Sequence, residues 1–349
     1  MFNPQIPFDD LPKLPPHLDI ETSEVMRSCV AASRALGELK GLLESIPDQR
    51  VLLELLPLQE SRSSSELENI ISSRDRLFMA SSTIDDSDIY TREILRYNSA
   101  MVKYNRKIPD TKTIRNVCSE VCGMDVRYRS TPEDEVYLKR MGSVEYTPPS
   151  GDLVPQLMSN LMEYIFTDDE VDPLIKMAVI HYQFEAIHPF FDGNGRTGRI
   201  LNVMYLQYNH LLNEPVLFLS GFIIDNRKRY YELLRRVSSD SDWEPWILFM
   251  LEAVRKTSHD TIRLIRNILK KMDDAKNVCS GLKIPLEVVD FIFATPFSTP
   301  SQIQSALSLS RPTAMKYLNQ LESVNILSSR KTGRKHLFVN DGLLSLFKE

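Results

Sequence analysis

The chain has 349 residues, room for two or three domains at about 150 residues each. Hydrophobic residues make up 42% and charged residues 26%, which excludes a disordered chain. Lys+Arg 42 against Asp+Glu 47 gives a net charge of −5, so the whole molecule is no polyanion binder, though one domain still has that choice. No apolar stretch approaches the roughly 18 residues of a membrane span. The start, MFNPQIPFDDLPKLPP, lacks the basic patch and apolar run of a signal peptide. Cys29, Cys118, Cys122 and Cys279 form no CxxC pair, which fits a reducing cytoplasm. A cytoplasmic protein without membrane contact is expected. Glycine, at 12 residues, is about half its usual ~7% share, which favours helices over tight turns.

Residues 1–20 carry five prolines and read as an extended arm over the surface. From Ser23 to about Leu56, apolar residues recur at helical spacing. The SRSSS run at 61–65 reads as a break before a new helix, ELENIISSRDRLFMA. Helices are expected around 87–105 and 110–122. Residues 125–150 alternate short β-type pieces with Pro and Gly, the pattern of a hairpin excursion. Helices follow over 152–165, 173–188, the stretch after the glycine cluster, 226–237 and 242–273. Composition changes near 275–285. Beyond it, LEVVDFIFA, TPSQIQSALS and SRPTAMKYLNQLESV read as helices and ILSSR and HLFVN as strands, the order of a winged helix-turn-helix. The expected units are 1–105, 106–275 and 281–349.

The segment His188-Pro-Phe-Phe-Asp-Gly-Asn-Gly-Arg-Thr-Gly-Arg199 concentrates chemistry. It holds a candidate base (His188), a carboxylate (Asp192), a turn of Gly193, Asn194 and Gly195, and the guanidinium groups of Arg196 and Arg199. The turn opens into a helix, so its N–H groups form an anion site. Two arginines at a helix start oppose the macrodipole and are better explained by a bound polyphosphate. Asp192 suits Mg2+, which binds through one or two carboxylates plus substrate phosphates. Gly193-x-Gly195-x-x-Gly198 formally matches a dinucleotide fingerprint, but that motif follows a strand, whereas a long helical run precedes this one. His181, Glu185 and His188 at i, i+4, i+7 are an alternative metal face, though not HExxH, and read better as helix-face groups. A capped loop around a core histidine explains any single residue here but not the set.

This segment resembles the Fic-family motif HPFx[DE]GNGRxxR at all nine specified positions, His188, Pro189, Phe190, Asp192, Gly193, Asn194, Gly195, Arg196 and Arg199. The resemblance implies a mainly α fold. It has an N-terminal Fic-associated helical region (1–105), a Fic helical core (106–275) with a β-hairpin flap, and a C-terminal winged helix (281–349). It also implies an enzyme that transfers AMP from ATP to Ser, Thr or Tyr hydroxyls of target proteins and of itself, releasing pyrophosphate. His188 is then the base, Asp192 the Mg2+ ligand, and the turn with Asn194 the cradle of the α-phosphate. Arg196 and Arg199 hold the β- and γ-phosphates, with Thr197 and Gly198 in the same nucleotide-binding stretch. NRKRYYELL resembles the family's adenine-pocket helix, which brings in Tyr231. MGSVEYTPPSG resembles the flap that holds the target as an added strand.

Family members of this type carry [ST]xxxE[GN] in a helix that blocks the site, and Ser64-Ser-Glu-Leu-Glu68-Asn69 fits it. Glu68 would then pair with Arg199 and misplace the α-phosphate. Alone, Ser65-x-x-Glu68 also reads as a capping box that starts a helix. Residues 281–349 hold eight Lys+Arg against five Asp+Glu, and the wing, Arg330 to Lys335, is basic. That permits DNA binding, but such modules also serve as homodimer or partner contacts. Three other functions stay open: a DNA-binding regulator with the core as nucleotide sensor, transfer of another phosphoryl-type group, and removal of AMP from a modified target.

Overall fold

The computed structural model describes residues 2–46, 48–82, 88–140, 143–332 and 335–347. Helix α1 (Ser23–Glu44) starts where the Thr22 hydroxyl accepts from Val25 N–H, and it buries Val25, Cys29, Ala32, Leu36, Leu39 and Leu43 along one stripe. Its main neighbour is α11 (Trp243–Gly281), a 39-residue helix roughly 58 Å long. Between them and α6 (Val154–Phe166) lies α7 (Pro173–Ile187), buried on every side. A helix apolar all round belongs at the centre of a core, and α7 ends on the site.

Two sequence expectations fail around α2 (Arg50–Leu67). The run from Ser23 toward Leu56 is interrupted after Glu44, and the serines at 61–65 lie inside α2 instead of breaking it. Ser61 and Ser64 bury their hydroxyls on acceptors and donors of the fold, Ser61 on the Pro57 carbonyl and Ser64 on Arg199. Serine is tolerated in a helix when its side chain is satisfied this way. The helix ends one residue past Leu67. Asn69 adopts φ 61, Asn69 N–H donates to Glu66 O (3.0 Å), and Ile70 N–H donates to Ser65 O (3.0 Å). This is a Schellman ending with Asn in the left-handed position. Glu68 therefore caps the end of a helix, and the capping-box reading of Ser65-x-x-Glu68 is overturned. Then α3 (Arg74–Ser82), α4 (Ile89–Lys103) and α5 (Thr111–Cys122) follow.

Strands β1 (Leu138–Arg140) and β2 (Ser143–Tyr146) form the expected hairpin, with Leu138 opposite Tyr146. Met141 and Gly142, part of the flap reading, lie outside the described residues. The N-terminal arm braces this hairpin's base: Phe8 N–H donates to Thr147 O, and Thr147 Oγ1 donates to Pro4 O. Phe2 and Phe8 pack on the Tyr146 ring, whose hydroxyl donates to Ala186 O of α7 (2.9 Å).

After α8 (Asn194–Tyr208) comes α9 (Leu219–Asp225), which periodicity does not reveal because it is seven residues long, then α10 (Arg227–Asp240). Helix α11 runs on to Gly281 without a break, through the region of composition change. The C-terminal unit has α12 (Leu286–Ala294), β3 (Phe297–Ser298), α13 (Pro300–Leu307), α14 (Arg311–Ser323), β4 (Ser328–Thr332), β5 (Lys335–Val339) and α15 (Asp341–Leu344). Its sheet order is β3-β5-β4, all antiparallel. The unit sits against α2, α3 and α11, with Phe347 edge-on to Phe78 at 5.6 Å. Gly333 and Arg334 of the wing lie outside the described residues.

Candidate active site

His188 terminates α7 in the left-handed region, φ 49, strained for a side chain with a Cβ and held by what surrounds it. Its N–H still donates to Phe184 O (3.0 Å). Its Nδ1 is buried and, among the described residues, has no hydrogen-bond partner. Burial first and the Arg129 charge second push its imidazole down to about 4, against the opposing pull of Glu68, the Glu185 main chain and Asp192. It is neutral at pH 7.

The loop turns back at Gly193, φ 79, where a Cβ would lie 2.7 Å from Cys122 Sγ. Asn194 closes it: its amide accepts from Phe190 N–H (2.9 Å) and donates to Phe190 O (2.8 Å). Its side chain thus braces the turn and leaves the main-chain N–H groups to face an anion. Asp192 accepts from Gly193 N–H at one oxygen, and its side chain is 81% exposed, 3.7 Å from Arg196. One solvated carboxylate beside a phosphate-binding turn fits Mg2+, which completes its shell with phosphates and water.

Arg196 and Arg199 are almost wholly buried at the start of α8. Arg196 faces Glu93 at 3.5 Å, and its Nε is a buried donor with no partner among the described residues. Thr197 Oγ1 is orphaned in the same way. Buried polar atoms without partners are rare, and several around one loop mark a place where a polar ligand belongs. Arg199 donates from Nε to Ser64 Oγ (2.8 Å) and from Nη2 to Ser64 O (2.9 Å) and Glu68 Oε1 (2.9 Å). The Glu68 oxygen also lies 2.3 Å from where a Cβ on Gly195 would stand. An internal carboxylate thus occupies the helix N-terminus. Burial pushes the Glu68 carboxyl up, but Arg199 with Arg196 and His188 outweighs it and holds the group below the usual carboxylate range.

Asn69 is tied in by Arg227, whose guanidinium reaches its Oδ1 (3.4 Å) and donates to Leu67 O (2.8 Å). Tyr231, one turn further along α10, packs edge-on against Tyr230 at 5.1 Å, and both Glu68 and Arg199 act on its hydroxyl. His181 is no partner of His188: its Nε2 meets Tyr230 Oη (2.9 Å), its Nδ1 meets Asn202, and burial pushes it down to about 3. It is a satisfied core histidine, stacked on Trp246. Glu185 keeps a buried Oε1, without a hydrogen-bond partner among the described residues, under Gly198, where a Cβ would meet it at 2.5 Å, and burial raises the carboxyl to about 7.

Sequence reasoning missed Arg129, Arg227 and Glu60. Glu60, buried in α2, accepts from Ser220 N–H, Ser220 Oγ and Tyr97 Oη, and burial raises it to about 7. A buried charge repeating at helical spacing inside an apolar stripe was its only signal.

Three family models match in chain order: Fic/DOC family N-terminal over residues 26–103, Fic/DOC family over 107–206, and protein adenylyltransferase SoFic-like, C-terminal domain, over 285–343. A probable protein adenylyltransferase of Aquifex aeolicus is 36% identical over 91 residues, 26% of either chain. The protein adenylyltransferase fic-1 of Caenorhabditis elegans is 27% identical over 150 residues, 42% of this chain and 26% of that one. The chain spans about a quarter of the length of these curated relatives. A Fic family protein from Desulfovibrio desulfuricans G20 superposes with TM-score 0.58 at 21% identity, over 93% of this chain and 98% of that one. Fic-1 of C. elegans gives TM-score 0.53 at 17% identity, over 70% and 75%.

Proposed function

We propose that this chain, which belongs to the Fic/DOC family, is a protein adenylyltransferase. It transfers AMP from ATP to a hydroxyl of a protein target, itself included. The observation that carries this reading is the neutral imidazole of His188 beside a glycine turn with two buried arginines. The hydroxyl oxygen attacks the α-phosphorus, and a new P–O bond forms as the bond to the bridging oxygen breaks. Pyrophosphate leaves, and His188 takes the proton. The N–H groups of Asn194 and Gly195, at the start of α8, face the charge that develops on the α-phosphate. Arg196 and Arg199 hold the outer phosphates, and α10 with Tyr231 offers a wall for the base. Mg2+, when bound at Asp192, neutralises phosphate charge. A nucleotide sensor needs no base at this position, which disfavours a purely regulatory protein.

Glu68 acts as an internal inhibitor on this reading. Its carboxylate holds the guanidinium that the γ-phosphate requires, so ATP binds with its α-phosphate displaced. A displacement of about 1 Å costs on the order of 10²-fold in rate.

The C-terminal unit is a docking module. Helix α14 exposes Arg311, Lys316 and Asn319, whereas Arg330 is engaged by Asp341 (2.7 Å) and Asp75 (3.7 Å). DNA binding, if it is the module's role, falls steeply with salt. Salt-insensitive self-association identifies a homodimer contact instead.

Incubation with α-³²P-ATP, alone and with candidate substrates, tests the reaction. Label in protein supports it, and label only from γ-³²P-ATP replaces it with phosphoryl transfer. His188→Ala abolishes labelling and keeps ATP affinity within about threefold, because the base meets the hydroxyl and not the nucleotide.

A further inference from the structure

Arg129 lies in the loop before the flap and is fully buried. Among the described residues it forms no ion pair. Its guanidinium donates only to main-chain carbonyls: Nε to His188 O (2.9 Å), Nη2 to Ile187 O (2.8 Å), Nη1 to Asp134 O (3.0 Å) and to Pro149 O (2.8 Å). Its own N–H donates to Pro189 O (2.9 Å). The carboxylate of Asp134, whose main-chain oxygen Arg129 holds, is turned away to Arg127 and to the N–H groups of Ser130 and Thr131.

A buried cation with no anion costs several kcal/mol of desolvation, so its place needs a reason beyond packing. The four carbonyls supply one. Two belong to the end of α7, at the candidate base. The other two stand at the start and end of the 134–149 excursion that carries β1 and β2. We propose that Arg129 is a positioning residue, setting the base and the flap that presents the target against a single rigid fork. This rests on the adenylyltransferase reading and gives it a part that neither the motif nor the family models assign.

The fork has a second consequence. Guanidinium stays charged in proteins, and this one reaches the main chain of His188 while Asp134, held by Arg127, offsets it without pairing with it. The other charged groups acting on that imidazole, Glu68 from the end of α2 and Asp192 from the loop, are anionic, as is an incoming nucleotide. All of those favour the protonated ring, which is no base. Burial does most to keep the ring neutral, and Arg129 is the charge that adds to it against those anions.

The test titrates His188 by NMR in histidine-labelled protein without substrate, its signal assigned by its loss in His188→Ala. In the parent the imidazole titrates well below its ordinary range near 6.5. In Arg129→Met it moves up by about one pH unit or more. Arg129→Lys keeps the charge but cannot reach four carbonyls. It retains the low titration while kcat falls about 10²-fold, target KM rises, and ATP affinity stays within about threefold. A parent imidazole titrating near 6.5 overturns the proposal. So does a folded Arg129→Met protein with His188 unmoved, or an Arg129→Lys enzyme with parental kinetics. If Arg129→Met does not fold, the parent titration and the lysine variant still decide. Titration and ATP binding need no turnover. A low parent titration that rises in Arg129→Met, with no AMP transfer, would therefore sink the adenylyltransferase reading and leave the charge effect standing.

Discussion

One carboxylate oxygen, Glu68 Oε1, touches both Arg199 and the space above Gly195. That contact gives opposite signs to two accounts of the residue. If Glu68 only ends a helix, Glu68→Gly lowers stability by about 1 kcal/mol and leaves AMP transfer unchanged or lower. If it holds the γ-phosphate's guanidinium, the same change raises transfer by tenfold or more, despite the lost stability. Arg199→Ala is then inactive with or without Glu68. Initial rates of self-labelling in the four proteins decide, and a Glu68→Gly enzyme no faster than its parent ends the inhibitory assignment. The nine motif positions were legible because a base, a carboxylate, three glycines and two arginines in twelve residues have one chemical explanation in common. Arg129 was not. An arginine in a loop reads as solvated, and nothing local says that four carbonyls distant in sequence will converge on it.

Among the elements, α2 departs most from its sequence pattern. Serines at 61–65 looked like a break, since serine competes locally for backbone hydrogen bonds. Arg199, 135 residues away, satisfies Ser64, and Ser61 turns its hydroxyl onto Pro57 O within the helix, so the helix continues. The helix stops at Asn69 because a left-handed residue is needed there. Asn69→Gly therefore keeps parental stability and inhibition, whereas Asn69→Val strains the cap by about 1–2 kcal/mol and raises basal transfer. Equal activity in the two variants, at matched folding, would separate the cap from inhibition. Glu60, in the same helix, makes stability pH-dependent. Its carboxyl sits near 7 when folded and near 4.5 when unfolded. Between those values the folded chain holds a proton that the unfolded chain has released. Its contribution is full below pH 4.5 and falls away as pH rises toward 7, by about 3 kcal/mol. Glu60→Gln removes that slope. Urea denaturation at pH 5 and pH 8 should show a smaller loss in the variant than in the parent, and parallel losses would contradict the assignment.

Across the whole molecule, the order of helices and the C-terminal unit were readable from periodicity, while the way that unit is seated was not. Its α12 lies on α2 and α11, and Phe347 meets Phe78 of α3. The module thus backs the same helix whose far end carries Glu68. All residues of the candidate site lie upstream of it. Deletion of residues 285–349 should leave labelling detectable but uncover Leu55 and Phe78, at a cost of about 3 kcal/mol. Calorimetry of the truncated protein measures this, and an unchanged melting temperature would show that the module stabilises nothing beneath it.

The left-handed ending of α2 also bears on how the resting protein behaves in time. Eleven of the 18 residues of α2 are buried, so the helix cannot leave the core without unfolding it. The last turn, Ser64 to Asn69, is the part of α2 that can open at least cost, and it is pinned by two cap bonds, Arg227 and Arg199. Fraying of a single turn is a fast equilibrium with a free energy far below that of global unfolding. An opening cost of about 3 kcal/mol would leave roughly one molecule in a hundred unlatched at any moment. Resting output then becomes a dial set by one helical turn, adjustable in small steps by whatever grips or loosens that turn, with no fully closed position.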